Sequence, residues 1–540
     1  MPMSNKGWRV AAVGSVAALA LALTGCASGG GTSDGGSSKA IVVGTTDKVT
    51  FLDPAGSFDN GSQTVQTQVF AQLMNSKQGT SDVEPDIASK AEFTSPTDFT
   101  VTLKPNQKFA NGDKLTSSDV KFTFDRQQKI ADPNGPSYLL ANLVSTDAPD
   151  ANTVVFHLKN ANDQTFAQVL STVAGFIVDE QVFSADKVTS DKDIVKKEGF
   201  SGQYQIDAYD FNNLITFKTN PNYDGLLGAA KTSAMTLKYY TDPSNLKLDV
   251  QQGNIDVAYR SLSATDLASL RTDKKVKLVD GPGGEIRYIV FNFNTMPFGA
   301  TTADASATKA LAVRQAAADL INRDELASQV YKNTYTPLYS YVPDGLSGAT
   351  TVLKSLYGDG KGGPDVDKAK KALADAGVPM PVALNLQYNP DHYGGSSTDE
   401  YALVKSQLEA SGVFKVNLQS TEWTQYSKDR TTDVYPAYQL GWFPDFSDAD
   451  NYLNPFFGAD SFLVNHYTNQ AVIDEITKEA TEPDAAARKT EIEDIQAKVA
   501  ADLSTLPLLQ GSQVAVTGTD ISGAKLDGAF KFRFGSLVKG

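Results

Sequence analysis

Cysteine occurs once in 540 residues, at Cys26, so no disulfide within the chain is possible. Histidine is almost as scarce. His157, His392 and His466 stand far apart and lack the i, i+3 or i+4 spacing of common zinc sites, so no metal centre and no cofactor is expected. Asp448-x-Asp450 is no calcium loop either, because no glycine fills the required sixth position. Positive charge is in deficit: 48 Lys and Arg face 63 Asp and Glu, for a formal charge of -15. That balance disfavours nucleic acid as a partner, since phosphate binding needs a basic footprint. Long apolar runs are missing too, for Val10 to Leu23 falls short of the ~20 residues that cross a bilayer. No repeat of fixed period is present.

What stands at the front is an address. Lys6 and Arg9 precede the apolar run and Leu23-Thr24-Gly25-Cys26 ends it, the layout of a secretory signal that is removed. The tetrapeptide resembles the lipobox of bacterial lipoproteins, whose cysteine is lipidated and becomes the first mature residue; the alternative is a signal that ends near an ordinary thiol. Removing residues 1–25 takes away Lys6 and Arg9 and no acid, which leaves -17. The following A-S-G-G-G-T-S-D-G-G-S-S can bury no core and reads as a flexible spacer. Its Gly31-Thr32-Ser33-Asp34-Gly35 matches G-x-S-x-G by letters alone, since no strand precedes it and no helix follows.

From Ile41 onward the chain is globular in composition, with 41% apolar residues overall, and long enough for roughly two to four domains. Ile41-Val42-Val43 predicts a short buried strand and Gln63 to Met74 a helix; Phe99, Val101 and Leu103 alternate as in a half-buried strand. Thr116 and Asp119 predict a capped helix over Val120 to Gln128, and Gly253 a helix end. Gly281-Pro282-Gly283-Gly284 is the strongest internal break, followed by a strand from Ile286 to Asn294; an interdomain crossing is expected there. Helices are expected at Asp365 to Ala376, Tyr401 to Ala410 and Ala485 to Asp502, strands at Phe414 to Leu418 and Tyr438 to Trp442, and short strands after Leu506. Gly358 to Gly363 spells G-x-G-x-x-G, but no suitable strand precedes it and Pro364 follows, so a loop is expected.

Glu84 to Phe124 contains E-P-D-I-A-S-K-A-E-F and then F-T-V-T-L-K-P-N-Q-K-F-A-N-G-D-K-L-T-S-S-D-V-K-F-T-F. This order of strand, turn and capped helix resembles the signature of the extracytoplasmic solute-binding proteins, family 5, of peptide and nickel ABC importers. Asn220-Pro221-Asn222-Tyr223-Asp224-Gly225 and Gln252-Gly253-Asn254-Ile255-Asp256-Val257 resemble later landmarks, while Gln203 stands where Gly202-Gln203-Tyr204 would usually show a proline. The resemblance implies an α/β, two-lobe periplasmic-binding-protein-like fold of the cluster C type with an extra subdomain in the first lobe. Its expected layout is a signal peptide over 1–25, a lipidated tether over 26–39, a first lobe over 40–283 with an inserted subdomain at about 80–200, a second lobe over 284–505, and a return to the first lobe over 506–540. It further implies a monomer without enzymatic activity, held at the extracytoplasmic face of the cell membrane by lipid on Cys26, that passes an oligopeptide to the permease subunits of an ABC importer.

Gly441 to Asn454, G-W-F-P-D-F-S-D-A-D-N-Y-L-N, is the most informative stretch. Trp442, Phe443 and Pro444 press against Asp445. If they wall a cleft, Asp445 is a partly desolvated anion suited to an ammonium; if they fill a core, its loop is merely a solvated surface. G-W-x-x-D at Gly441, Trp442 and Asp445 resembles the family segment whose aspartate holds a peptide's free α-amino group. E-W-x6-R at Glu422, Trp423 and Arg430 resembles a pattern whose tryptophan and arginine line the cleft. The resemblance thus implies Trp423, Arg430, Gly441, Trp442, Phe443 and Asp445 as ligand-binding residues, with Arg430 facing a carboxylate. On their own residues, Arg430 also fits a surface ion pair and Trp423 a core position. An oligosaccharide stacked on Trp423 and Trp442 is one alternative ligand. A secreted hydrolase is another reading, opposed by the crowding of Asp445, Asp448 and Asp450 into one loop where glycosidase chemistry needs two flanking carboxylates.

Overall fold

The computed structural model describes residues 40–540 apart from 261, 395, 460 and 528–530. The signal segment, Cys26 and the tether lie outside the described residues. At the centre stands an antiparallel ladder of two long strands, Val276–Phe291 and Thr505–Gly518, within a mixed sheet of 11 strands. Val276 to Pro282 pair with Gly518 to Ser512, Ile286 to Val290 pair with Gln510 to Thr505, and the register shifts between the two runs. On one side of the shift the sheet continues through Val257–Tyr259, Ile41–Thr45, Ala234–Tyr239, Leu214–Thr219 and Tyr204–Asp210. On the other side it continues through Ala437–Trp442, Val382–Tyr388 and Phe414–Ser420. One sheet therefore serves two lobes, each with its own apolar core.

The glycine run expected to interrupt the chain does not interrupt the strand. Between Pro282 and Ile286 the backbone stays extended, and the extra residues form an irregularity opposite Gly511. Glycine is required at its centre, since a Cβ on Gly283 would lie 1.7 Å from the Gly511 carbonyl oxygen. Leu506 itself lies in one long strand of 14 residues, and the expected short strands follow it as Ile521–Ser522 and Val538–Lys539.

A separate four-stranded antiparallel layer, in the order Ala88–Ser95, Asp98–Leu103, Thr153–Leu158, Leu143–Asp150, packs against the helix Ser117–Ile130. That helix opens on the expected capping box of Thr116 and Asp119. Its core stacks Phe124 on Phe156 and Phe156 on Phe166 edge to face, with centroids 4.8 and 5.4 Å apart. The helix expected to run to Met74 is Asn60–Val69, and Met74–Ser76 is a strand instead. Phe70 ends it by leaving the helical path to join Phe176, Phe183 and Phe200 in one aromatic cluster.

Helix Ser117–Ile130 is tied to the start of the chain by a buried fork. The two Nη atoms of Arg126 donate to the two oxygens of Asp53 at 2.9 and 2.8 Å, with side chains 1% and 0% exposed. Asp53 also accepts from the Ala55 and Thr189 amides, so every lone pair has a use. Removing one partner strands the other charge without water. Arg126→Met is expected to cost about 3–5 kcal/mol in urea unfolding, and a loss no larger than that of an ordinary surface substitution would contradict this account.

Candidate functional site

Strand Ala437–Trp442 hydrogen-bonds along Ile286–Phe291, which fixes its far end beside the register shift. Gly441 is buried there under Tyr393, and a Cβ would come within 2.9 Å of the Tyr393 ring and 3.0 Å of the Ile286 carbonyl oxygen. Trp442 is half-buried, with its ring against Phe456 and Phe462 at 5.1 and 5.2 Å. Its Nε1 donates to Oδ1 of Asn451 at 3.0 Å, an oxygen that also accepts from the Asp445 amide at 2.9 Å. Asn451 completes the clamp by donating Nδ2 to Oδ2 of Asp445 at 3.3 Å. Indole and carboxylate are thus held as one unit.

The other oxygen of Asp445 faces the opposite lobe. Tyr138, in the turn Ser137–Leu140, donates its hydroxyl to Oδ1 at 2.6 Å. Both partners are neutral, and no lysine or arginine among the described residues pairs with Asp445. Desolvation pushes its carboxyl above the ordinary range, against the pull of the Tyr138 and Asn451 hydrogen bonds. Next to it, Phe446 is buried in the apolar core of the four-stranded layer with Phe99, Phe156 and Phe166. The loop therefore rises from one lobe and is seated in the other.

Two cavities flank the carboxylate. One of about 220 Å³ lies between Phe58, Asp59 and Gln63 on one side and Phe443 to Ser447 on the other, with Lys531 on its wall. The second, of about 740 Å³, is lined by Tyr138, Trp442, Asp445 and Asn451. Others of about 330 and 670 Å³ lie beside Pro282 to Gly284 and beside Glu285 and Arg287.

Asp448 and Asp450 serve the base of the loop. Arg488 donates to both oxygens of Asp448 at 2.7 and 2.8 Å and to Glu479 at 2.9 Å. Asp450 and Glu479 are both buried here: burial, then repulsion from Asp448, raises the Asp450 carboxyl, and burial, then repulsion from Asp450, raises that of Glu479. Trp423 opens the helix Trp423–Asp429, lying flat on His392 at 3.7 Å, and is on the wall of none of these four cavities. Arg430 ends that helix, donates Nη1 to the Phe462 carbonyl at 3.0 Å and stacks on the Phe462 ring at 5.1 Å. It has no ion pair among the described residues. Arg430 acts at one remove, backing the ring that supports Trp442. Phe443, 39% exposed, lines the smaller cavity.

Gly441, Trp442, Phe443 and Asp445 thus converge, and Trp423 and Arg430 stand behind them. Sequence reasoning missed Tyr138, Phe446, Asn451 and Lys531. Asn451 lay inside the quoted stretch, six positions after Asp445, where a side-chain amide among carboxylates was the available signal.

Residues 82–462 match the family described as bacterial extracellular solute-binding proteins, family 5. The probable D,D-dipeptide-binding periplasmic protein DdpA of Escherichia coli K12 is 25% identical over 431 residues, 78% of either chain. The periplasmic oligopeptide-binding protein OppA of Salmonella typhimurium is 25% identical over 422 residues, 72% of this chain and 73% of that one. Among solved structures, HbpA2 from Haemophilus parasuis matches with a TM-score of 0.80 at 19% identity, covering 93% of this chain and 100% of that one. The unliganded open form of the murein tripeptide-binding protein MppA gives 0.78 at 18% identity, over 93% and 97%. These likenesses identify the fold as the two-lobe, periplasmic-binding-protein-like α/β architecture of cluster C. With a family match over most of its length and that fold, the chain belongs to the bacterial extracellular solute-binding proteins of family 5, which are extracytoplasmic binding proteins and not enzymes.

Proposed function

We propose that this chain captures peptides with a free amino end between its lobes and delivers them to the permease subunits of an ABC importer. The observation that carries the reading is Asp445, a partly buried anion between two lobes whose side-chain hydrogen-bond donors among the described residues, Tyr138 and Asn451, are neutral. A ligand ammonium supplies both the missing charge and further N–H donors, and such charge-assisted bonds are about twice as strong as neutral ones. Gly441, Trp442 and Phe443 shape the approach to it. The names of relatives fit this reading, since DdpA and OppA are described as binding dipeptides and oligopeptides, although a haem-binding protein and a glutathione-binding protein are also similar to the chain. An oligosaccharide has less support. His392 lies over a face of Trp423, and Trp442 is wedged among phenylalanines, which leaves little ring surface for a sugar.

In this proposal the first lobe comprises 40–283 with its inserted subdomain at about 80–200, the second 284–505, and 506–540 returns to the first; the change of register near Gly283 supports that division. Cys26, in Leu23-Thr24-Gly25-Cys26, carries lipid and tethers a monomer to the outer face of the cell membrane.

Asp445→Asn keeps the shape and removes the charge, and is expected to weaken binding of a free-amine peptide by about 2–5 kcal/mol in calorimetry. Acetylating the peptide should weaken wild-type binding as well, and the two losses should not add, because both remove one interaction. An acetylated peptide that binds as tightly as the free one would falsify the anchor. Acid supplies a separate check. Binding needs the ionised carboxylate, whose desolvation has raised its pKa, so affinity should fall as pH drops through that raised value. Asp445→Asn should lose this acid-side decline; an unchanged profile in the variant would assign the titration to another group.

A further inference from the structure

The smaller cavity holds a second isolated charge. Lys531 reaches it from the C-terminal segment, its backbone amide bonded to Oδ1 of Asp527 at 3.2 Å and its Nζ to the Ser171 carbonyl at 2.5 Å. A lysine ammonium carries three donors, so two remain for a ligand. No carboxylate among the described residues forms an ion pair with it, because each nearby acid is engaged elsewhere. Asp527 is paired with Arg533 at 2.7 Å. Asp86 accepts from Tyr223, the Leu226 amide and Asn75. Asp59 accepts from Thr50 and from the amide and hydroxyl of Ser62 at the head of helix Asn60–Val69. Asp445, on the same cavity wall, is held by Tyr138 and Asn451. One small cavity thus presents an unpaired anion and an unpaired cation that are not paired with each other.

We propose that Lys531 and Asp445 together select ligands bearing an anionic group close to a free amino group, with Lys531 receiving the anion. This rests on Asp445 as the amine anchor and adds the chemistry of the ligand's other end. Two partly buried charges that do not meet each other are costly, and a zwitterionic ligand neutralises both at once. The volume of about 220 Å³ equals about 7 water volumes, room for the first one or two residues of a peptide. The anion is therefore the α-carboxylate of a dipeptide or the acidic side chain of an early residue. Burial and the neighbouring Arg533 bring the Lys531 ammonium down to about 7, against the opposing pull of Asp527 and Asp86. An arriving carboxylate should restore its proton, so binding above neutrality takes one up.

The test is calorimetry at about pH 6 with four probes: Ala-Ala, Ala-Ala amide, Ala-Glu amide and N-acetyl-Ala-Ala. Ala-Ala should bind the full chain at least about tenfold more tightly than its amide, and Lys531→Met should abolish that preference. Recovery of affinity in Ala-Glu amide assigns the anion to a side chain; no recovery assigns it to the terminus. Equal binding of acid and amide, or a preference that survives Lys531→Met, overturns the proposal. Equal binding of N-acetyl-Ala-Ala overturns the Asp445 anchor instead, and no binding of any probe at millimolar concentration overturns both. Should Lys531→Met fail to fold, wild-type titrations in two buffers of different ionisation heat at about pH 8 still decide: both peptides take up protons on their own amino groups, and Ala-Ala must take up more than its amide.

Discussion

The two long strands that pair across the middle of the molecule are the constraint from which the rest follows. Slipping such a ladder by one residue would turn every side chain to the wrong face, so the lobes share one register and cannot slide past each other. At the shift near Gly283 the backbone passes too close to Gly511 for a side chain. Even here the carbonyls are satisfied: Gln510 donates to Gly283 at 2.9 Å and Tyr452 to Gly284 at 2.7 Å. Because Ala437–Trp442 is laid on one of these strands, the loop that carries Asp445 starts from a fixed point beside the register shift.

That placement gives the cleft its electrostatic character. Arg488, Asp448, Glu479 and Asp450 hold the base of the loop on the second lobe, and Phe446 and Tyr138 meet its tip on the first. The carboxylate between them is partly buried, and no cation among the described residues pairs with it. Its hydrogen-bond partners among the described residues, Tyr138 and Asn451, are neutral and leave its charge uncompensated. A ligand group that brings the opposite charge compensates it.

Much of the fold was legible because it rests on local rules. The capping box at Thr116 and Asp119 starts its helix, Gly253 ends another at φ 73°, and the helix Ala485–Asp502 lies where its periodicity puts it. Three features were not legible because they are tertiary. Phe70 leaves its helix for an aromatic cluster assembled from residues over 100 positions away. The glycine run stays in a strand because a distant partner strand accommodates it. Tyr138 is 307 residues from the carboxylate it binds, and no spacing rule reaches that far. The G-W-x-x-D segment carries its aspartate to Tyr138 of the other lobe, whereas Arg430 bonds a carbonyl and stacks on a ring within its own lobe.

The central claim is that this cleft is built around a ligand's free amino group, and the ligand itself is the most direct witness. Protein purified without denaturation and then unfolded in the mass spectrometer's inlet should release short peptides, each reactive with an amine-labelling reagent at its first residue. Release of a haem, a sugar or amino-blocked peptides as the bound species would contradict the account.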